Sequence, residues 1–246
     1  MVELQLKRYR INYETDTSKG KRPVNEDRIL VKKIHSETAI FTVADGMAGY
    51  PMGGKAAELA IETLGNQLSS SRQEINRNFI AHCLNVANKS INNQLDESGT
   101  TIGGIILAKQ SIHLFWLGDV RIKVIQPSGE IITSKDHNVL GSTSNGMEVI
   151  SPDEIKRYSN RVTKCLGLHS QKVCPDYYQL PIINGVKILI SSDGVHGIAR
   201  ENSVVKALLK QGVQQSKEKI VELIRNEAVD NYSFILLKLD ESDELL

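Results

Sequence analysis

The order of apolar patterns along this chain restricts its fold more than any other feature. Strand-like runs come first, at Leu4 to Tyr13, Ile29 to Ile34 and Ala39 to Ala44. The period then changes. Ala56, Ala57, Ala60, Ile61, Leu64 and Leu68 recur at helical spacing, and Ile75, Phe79, Cys83, Val86, Ser90, Ile91 and Leu95 form a second stripe after Ser71. More strands follow at Thr101 to Ala108, Ile112 to Leu117 and Val120 to Gln126, a block that continues to Thr133. The turns Lys109-Gln110 and Pro127-Ser128-Gly129-Glu130 predict hairpins and antiparallel pairing within it. Val186 to Ser191 reads as a strand, Ser203 to Lys210 and Lys217 to Ala228 as helices, and Tyr232 to Leu239 as a last strand.

Strands and helices in this order do not alternate, which argues against a doubly wound parallel sheet. The pattern predicts an α/β protein of the α+β kind, a four-layer α-β-β-α sandwich. Two largely antiparallel sheets lie inside it, flanked by helical pairs. A length of 246 residues suits one large domain or two small ones. No repeat or low-complexity linker divides the chain, so residues 1–246 read as a single domain. The polar stretch at 138–160, with Gly141, Gly146 and Pro152, reads as a flap beside the cleft.

Acidic residues stand at the edges of these apolar runs. Glu26-Asp27 precede one, Asp45 and Asp193 each end one, Asp119 falls between two, and Asp230 opens the last. Strand ends of this kind gather carboxylates at one rim of a sheet core. Carboxylates held together repel one another and take up protons unless a cation neutralises them. Oxygen ligands without His or Cys partners select hard ions, so Mg²⁺ or Mn²⁺ is the expected occupant. The bland alternative is that Asp45-Gly46 and Asp193-Gly194 are strand-terminating turns.

Composition excludes several other classes. Lys plus Arg is 30 and Asp plus Glu is 29, which leaves no polyanion-binding surface and predicts no nucleic-acid partner. No apolar segment is long enough to cross a bilayer, and the amino terminus has no signal-peptide stretch. Three cysteines, Cys83, Cys165 and Cys174, form no CxxC pair and no even framework, as expected in a reducing compartment. Cys83 falls in a helical stripe, while Cys165 and Cys174 are candidates to lie close in space. These features together predict a cytoplasmic protein.

Eight short motifs occur in order: Arg22-Pro23-Val24-Asn25-Glu26-Asp27, Asp45-Gly46-Met47-Ala48-Gly49, Gly99-Thr100-Thr101, Gly118-Asp119-Val120-Arg121, Asp136-His137, Leu166-Gly167, Ser192-Asp193-Gly194 and Asp230-Asn231. Any one alone is weak, since Asp-Gly is usually a turn. Together, over nearly the whole chain, they resemble the type 2C metal-dependent protein Ser/Thr phosphatases, in their bacterial form. That resemblance implies hydrolysis of phosphoserine and phosphothreonine in proteins by a metal-activated water.

It also implies a set of roles. The residue matching Asp45 bridges two ions, Mn²⁺ or Mg²⁺, and those matching Asp193 and Asp230 complete one shell. Glu26 and the Gly46 carbonyl serve the second ion, and Asp27 holds metal-bound water. The residue matching Asp119 helps Asp193 hold a weaker third ion in bacterial members; the alternative is a turn carboxylate paired with Arg121. Arg22 matches the arginine that binds the substrate phosphate, against a plain solvated cation beside Lys19 and Lys21. Gly46 is expected to need backbone freedom to turn its carbonyl to the ion.

This chain departs from the pattern at Met47, where many relatives carry a His assigned to protonate the leaving group. Tyr50 and Ala48 replace the more usual His and Gly of that loop. Two other readings therefore stand beside the enzyme: a catalytically silent relative that binds phosphoproteins, and a phosphatase of small phosphorylated metabolites. His137 matches a structural position and Trp116 reads as strand core. His196 starts a helix after Asp193, while His35, His82, His113 and His169 have no ligand spacing. The expected partners are phosphorylated protein substrates and an opposing Ser/Thr protein kinase, with a monomeric enzyme and no membrane contact.

Overall fold

The computed structural model describes residues 2–50, 52–139, 161–168, 172–209 and 212–242. Strands β1 (Val2–Gln5), β2 (Tyr9–Ser18), β3 (Arg28–His35) and β4 (Thr38–Gly46) precede helices α1 (Gly53–Ser70) and α2 (Arg77–Gln94). Strands β5 (Thr100–Ala108), β6 (Ser111–Leu117), β7 (Arg121–Ile125), β8 (Ile131–Thr133), β9 (Asp176–Pro181) and β10 (Lys187–Ser191) follow. Helices α3 (Asp193–His196), α4 (Glu201–Leu208) and α5 (Val213–Ile224) lead to β11 (Tyr232–Glu241). One sheet has the order β1-β2-β11-β10-β7-β8, the other β3-β4-β5-β6-β9, and every pairing is antiparallel.

Side-chain alternation along each strand builds the layers. Phe41 and Val43 of β4 meet Ile188 and Ile190 of β10, and Ile235, Leu237 and Leu239 of β11, in the core between the sheets. Their neighbours face outward. Ile40 and Ala44 pack with Leu64, Leu84 and Ile91 of α1 and α2. Leu189, Phe234 and Leu236 pack with Val204, Ala207, Ile220 and Ile224 of α4 and α5. This is the four-layer sandwich that the element order predicts. Among the described residues, no helix is long and apolar enough to cross a membrane.

The structure corrects several local readings. The run Leu4 to Tyr13 is not one strand but the β1–β2 hairpin, with Gln5 opposite Arg10 and the Leu6 amide bonded to the Tyr9 carbonyl at 2.9 Å. The helix after Ser71 begins only at Arg77, because Oδ1 of Asn76 accepts from the Phe79 amide at 3.0 Å and caps it. Its buried face runs through Ile80, Leu84 and Ala87 rather than Val86 and Ser90. The expected hairpins are β5–β6 and β7–β8, and β6 and β7 do not pair. They belong to different sheets, and Gly118-Asp119 lies at the crossover between them. Strand β9 has no counterpart in the sequence reading. Of the flap at 138–160, only its base is described, where Asn138 bridges Val162; the remainder lies outside the described residues.

Candidate active site

Strand register places the acidic residues at one rim. Arg28 of β3 pairs with Ala44 of β4, so Glu26 and Asp27 enter β3 where Asp45 leaves β4. Ser191 of β10 pairs with both Arg121 of β7 and Phe234 of β11. Asp193 therefore leaves β10 beside the entry of Asp119 into β7 and of Asp230 into β11. Arg22, Glu26, Asp45, Gly46, Asp119, Asp193 and Asp230 all line one cavity of about 250 Å³. Asp27 stands behind it, 3% exposed, and its Oδ2 accepts from Ser192 Oγ at 2.8 Å.

Close backbone approaches set the positions of these side chains. A Cβ on Gly46 would lie 2.4 Å from the Gly53 carbonyl carbon and 2.8 Å from the Gly54 nitrogen. The end of β4 thus abuts the first turn of α1, and Gly54 N–H points to Oε1 of Glu26 at 3.3 Å. Gly46 does not adopt positive φ, so it is needed for this approach rather than for backbone freedom. A Cβ on Gly194 would lie 1.9 Å from the Asn231 carbonyl oxygen, which fixes α3 against the entry of β11. Gly118, by contrast, has φ +108 at the crossover. His137 straps that turn by accepting the Gly118 amide on Nδ1 at 3.1 Å, which makes its role structural.

Two residues without an assigned role in the sequence reading hold the frame. Oδ1 of Asn231 accepts the Glu26 amide at 2.9 Å, while its Nδ2 donates to the carbonyls of Lys19 at 3.0 Å and Val24 at 2.8 Å. Asn231 so ties the entry of β11 to the segment bearing Arg22 and Glu26. Ser192 accepts the Ser233 amide at 2.9 Å and donates to Asp27, joining β11 and the entry of β3. Their signal in the sequence was adjacency to Asp193 and Asp230; their partners are far along the chain.

The electrostatics of the cavity are dominated by burial and like charge. Burial, then the charges of Asp27, Asp193 and Asp119, push the Asp45 carboxyl well above the usual range. Burial, then Asp193, raises Asp119 to about 7, and burial, then Asp230 and Asp27, raises Asp193 to about 6. Asp27 also shifts upward through burial, against the opposing bond from Ser192. Arg121 does not pair with Asp119 as a simple turn would have it. Its guanidinium forks onto Asp136, with Nε donating to Oδ1 at 3.1 Å.

Arg22 Nη2 donates to Oδ2 of Asp230 at 2.6 Å, and this bond raises its already high basicity. Among the described residues, Oδ1 of Asp27 and Oγ1 of Thr101, both buried, find no hydrogen-bond partner. An all-oxygen donor set that carries mutual repulsion and orphaned buried oxygens suits a hard divalent cation. Among the described residues, no three His, Cys, Asp or Glu side chains are arranged closely enough to hold a metal ion as they stand.

Among the described residues, no histidine lines the cavity. His196 is half-buried beside Arg121 and Lys123, and burial followed by those two cations holds it well below the usual imidazole range. His113 is buried with Nδ1 2.8 Å from the Tyr177 hydroxyl, and His169 lies outside the described residues. Trp116 lies in the core between the sheets. The three cysteines are free, Cys83 and Cys165 buried and Cys174 exposed, so Cys165 and Cys174 form no disulfide.

Several bacterial phosphatases resemble this chain. Protein phosphatase PhpP of Streptococcus pneumoniae is 25% identical over 240 residues, covering 91% of this chain and 95% of its own. The serine/threonine phosphatase Stp1 from Staphylococcus aureus superposes with a TM-score of 0.82 at 21% identity, covering 97% of each chain. The catalytic domain of the phosphatase PstP, crystallised with two manganese ions, superposes at 0.79 with 22% identity, covering 94% of this chain and 99% of its own. These structures share the fold. The profile described as protein phosphatase 2C matches residues 18–228. The chain accordingly belongs to the protein phosphatase 2C family and is a metal-dependent serine/threonine protein phosphatase.

Proposed function

We propose that this protein hydrolyses phosphoserine and phosphothreonine in proteins at the acidic cavity, using two divalent cations, Mn²⁺ or Mg²⁺. The field around Asp45 carries this reading. Three further carboxylates bear on one deeply set carboxyl and push it upward, a repulsion that a bound cation relieves. In this reading Asp45 would serve both ions, Asp193 and Asp230 would help hold one, Glu26 and the Gly46 carbonyl the other, and Asp119 with Asp193 would hold a third.

When bound, the cations supply an acidified water near neutral pH and positive charge opposite the phosphoryl oxygens. The protein's own groups do the rest. The Arg22 fork takes two phosphate oxygens, exchanging Asp230 for phosphate. That exchange loses little, because both partners of the pair are more than a third exposed. Asp27, fixed by Ser192, would hold a water at the back of the cavity. The water oxygen bonds to phosphorus in line as the bond to the serine or threonine oxygen breaks. Met47 has no proton to give, so the departing oxygen takes its proton from water in the cavity.

The substrates are phosphorylated proteins, opposed by a Ser/Thr protein kinase. The free cysteines support a reducing, cytoplasmic setting. The reading also takes residues 1–246 as one catalytic domain acting as a monomer. Its test is Mn²⁺-dependent phosphate release from phosphoserine and phosphothreonine peptides. Asp193→Asn should reduce turnover on the order of 10²-fold or more. Metal binding by calorimetry with no turnover on any phosphopeptide would instead indicate a silent phosphoprotein-binding relative.

A further inference from the structure

The cavity has an acidic floor and an apolar rim. Pro23, Val24, Met47, Ala48 and Val162 contribute to its lining, and Arg22 is the one basic residue there among the described residues. Val24 is 57% exposed, and the loop leaving Met47 reaches Tyr50 and Met52, 42% and 60% exposed. The rim stands on fixed backbone. The Val24 carbonyl accepts from Asn231 at 2.8 Å, the Met47 amide donates to the Gly99 carbonyl at 3.0 Å, and Val162 bridges Asn138. Exposed apolar surface bordering a polar centre marks a place where something binds. Here the surface is continuous with the phosphate site, so its occupant is the chain on either side of the phosphorylated residue. A charged side chain seated there would lose water against Val24 and Val162.

We propose that this collar selects the substrate: a phosphorylated segment with an apolar side chain next to the phosphoserine or phosphothreonine. The collar deepens the phosphatase reading and rests on it. Met47 and Ala48 act as recognition surface.

The test compares phosphopeptides that differ only in the residues flanking phosphoserine, with p-nitrophenyl phosphate as a substrate that has no flanks. With Mn²⁺, Leu or Val flanks should raise kcat/KM about tenfold over Asp or Lys flanks. Non-hydrolysable phosphonate versions should bind with the same ranking by fluorescence anisotropy. Val24→Ser and Val162→Ser, both at exposed or half-exposed positions, should each lose several-fold of that preference while p-nitrophenyl phosphate turnover stays within about twofold. Equal rates and affinities across all flanks overturn the collar and leave the phosphatase reading standing. Failure to hydrolyse p-nitrophenyl phosphate and every peptide overturns the reading beneath it.

Discussion

Arg22 and Asp230 meet across more than 200 residues of sequence, with Nη2 donating to Oδ2 at 2.6 Å. One bond thus joins the proposed phosphate-binding cation to a proposed metal ligand. Removing Arg22 should weaken substrate binding without weakening metal binding. Arg22→Ala is expected to lower kcat/KM roughly 10- to 100-fold, the worth of a lost charge-assisted bond. Mn²⁺ affinity by calorimetry should be unchanged or tighter, because a competing cation has gone. Arg22→Lys should recover only part of the rate, since an ammonium lacks the planar fork.

The raised carboxyls predict an inverted pH dependence for the metal-free protein. Asp119 titrates at about 7 in the folded protein, against roughly 3.9 when unfolded. Below about 4 both states hold the proton and the group is neutral to stability. Between there and 7 the unfolded chain releases it first, so stability falls as pH rises. Asp193, raised to about 6, adds to the loss in the same direction. Thermal unfolding in chelator should therefore show Asp119→Asn gaining over the parent at pH 7.5, by about 2–4 °C for each kcal/mol of relieved repulsion. The gain should vanish near pH 4 and shrink when Mn²⁺ is restored.

Gly194→Ala should damage the site from behind. Its Cβ would meet the Asn231 carbonyl oxygen at 1.9 Å, so β11 must shift and carry Asp230 with it. The expected cost is about 1–3 kcal/mol of stability, as for overpacking elsewhere, with weaker Mn²⁺ binding by calorimetry. Unchanged metal affinity would mean that this contact does not position Asp230.

Asn231→Ala should behave differently, because it leaves polar groups unpaired without a clash. The Glu26 amide and the Lys19 and Val24 carbonyls lose their partner together. A loss of roughly 2–3 kcal/mol in urea unfolding is expected, together with a fall in turnover, since Arg22 and Glu26 sit on the released segment.

The sandwich was legible because strands in its core alternate cleanly or run wholly apolar, and the switch to helical period at Ala56 is sharp. The rim of carboxylates was legible for the same reason, each acid sitting where such a run begins or ends. The β1–β2 hairpin was not, because its turn, Leu6-Lys7-Arg8, contains none of the residues that usually mark one. Strand β9 was missed because Asp176–Pro181 is a half-exposed edge strand ending in proline, held by pairing with β6 rather than by its own pattern. The bonds of Ser192 to Asp27 and of Asn231 to Glu26 span more than 160 residues, which spacing alone does not reveal. The reason for Gly46 was misread because chain geometry, not local conformation, demands it.

Anomalous diffraction at the manganese edge, from crystals grown with millimolar Mn²⁺, locates any ions held by the acidic cavity. Two peaks are predicted astride Asp45, one within bonding distance of Asp193 and Asp230 and the other of Glu26 and the Gly46 carbonyl. A well-ordered cavity without manganese beside Asp45 would contradict the account.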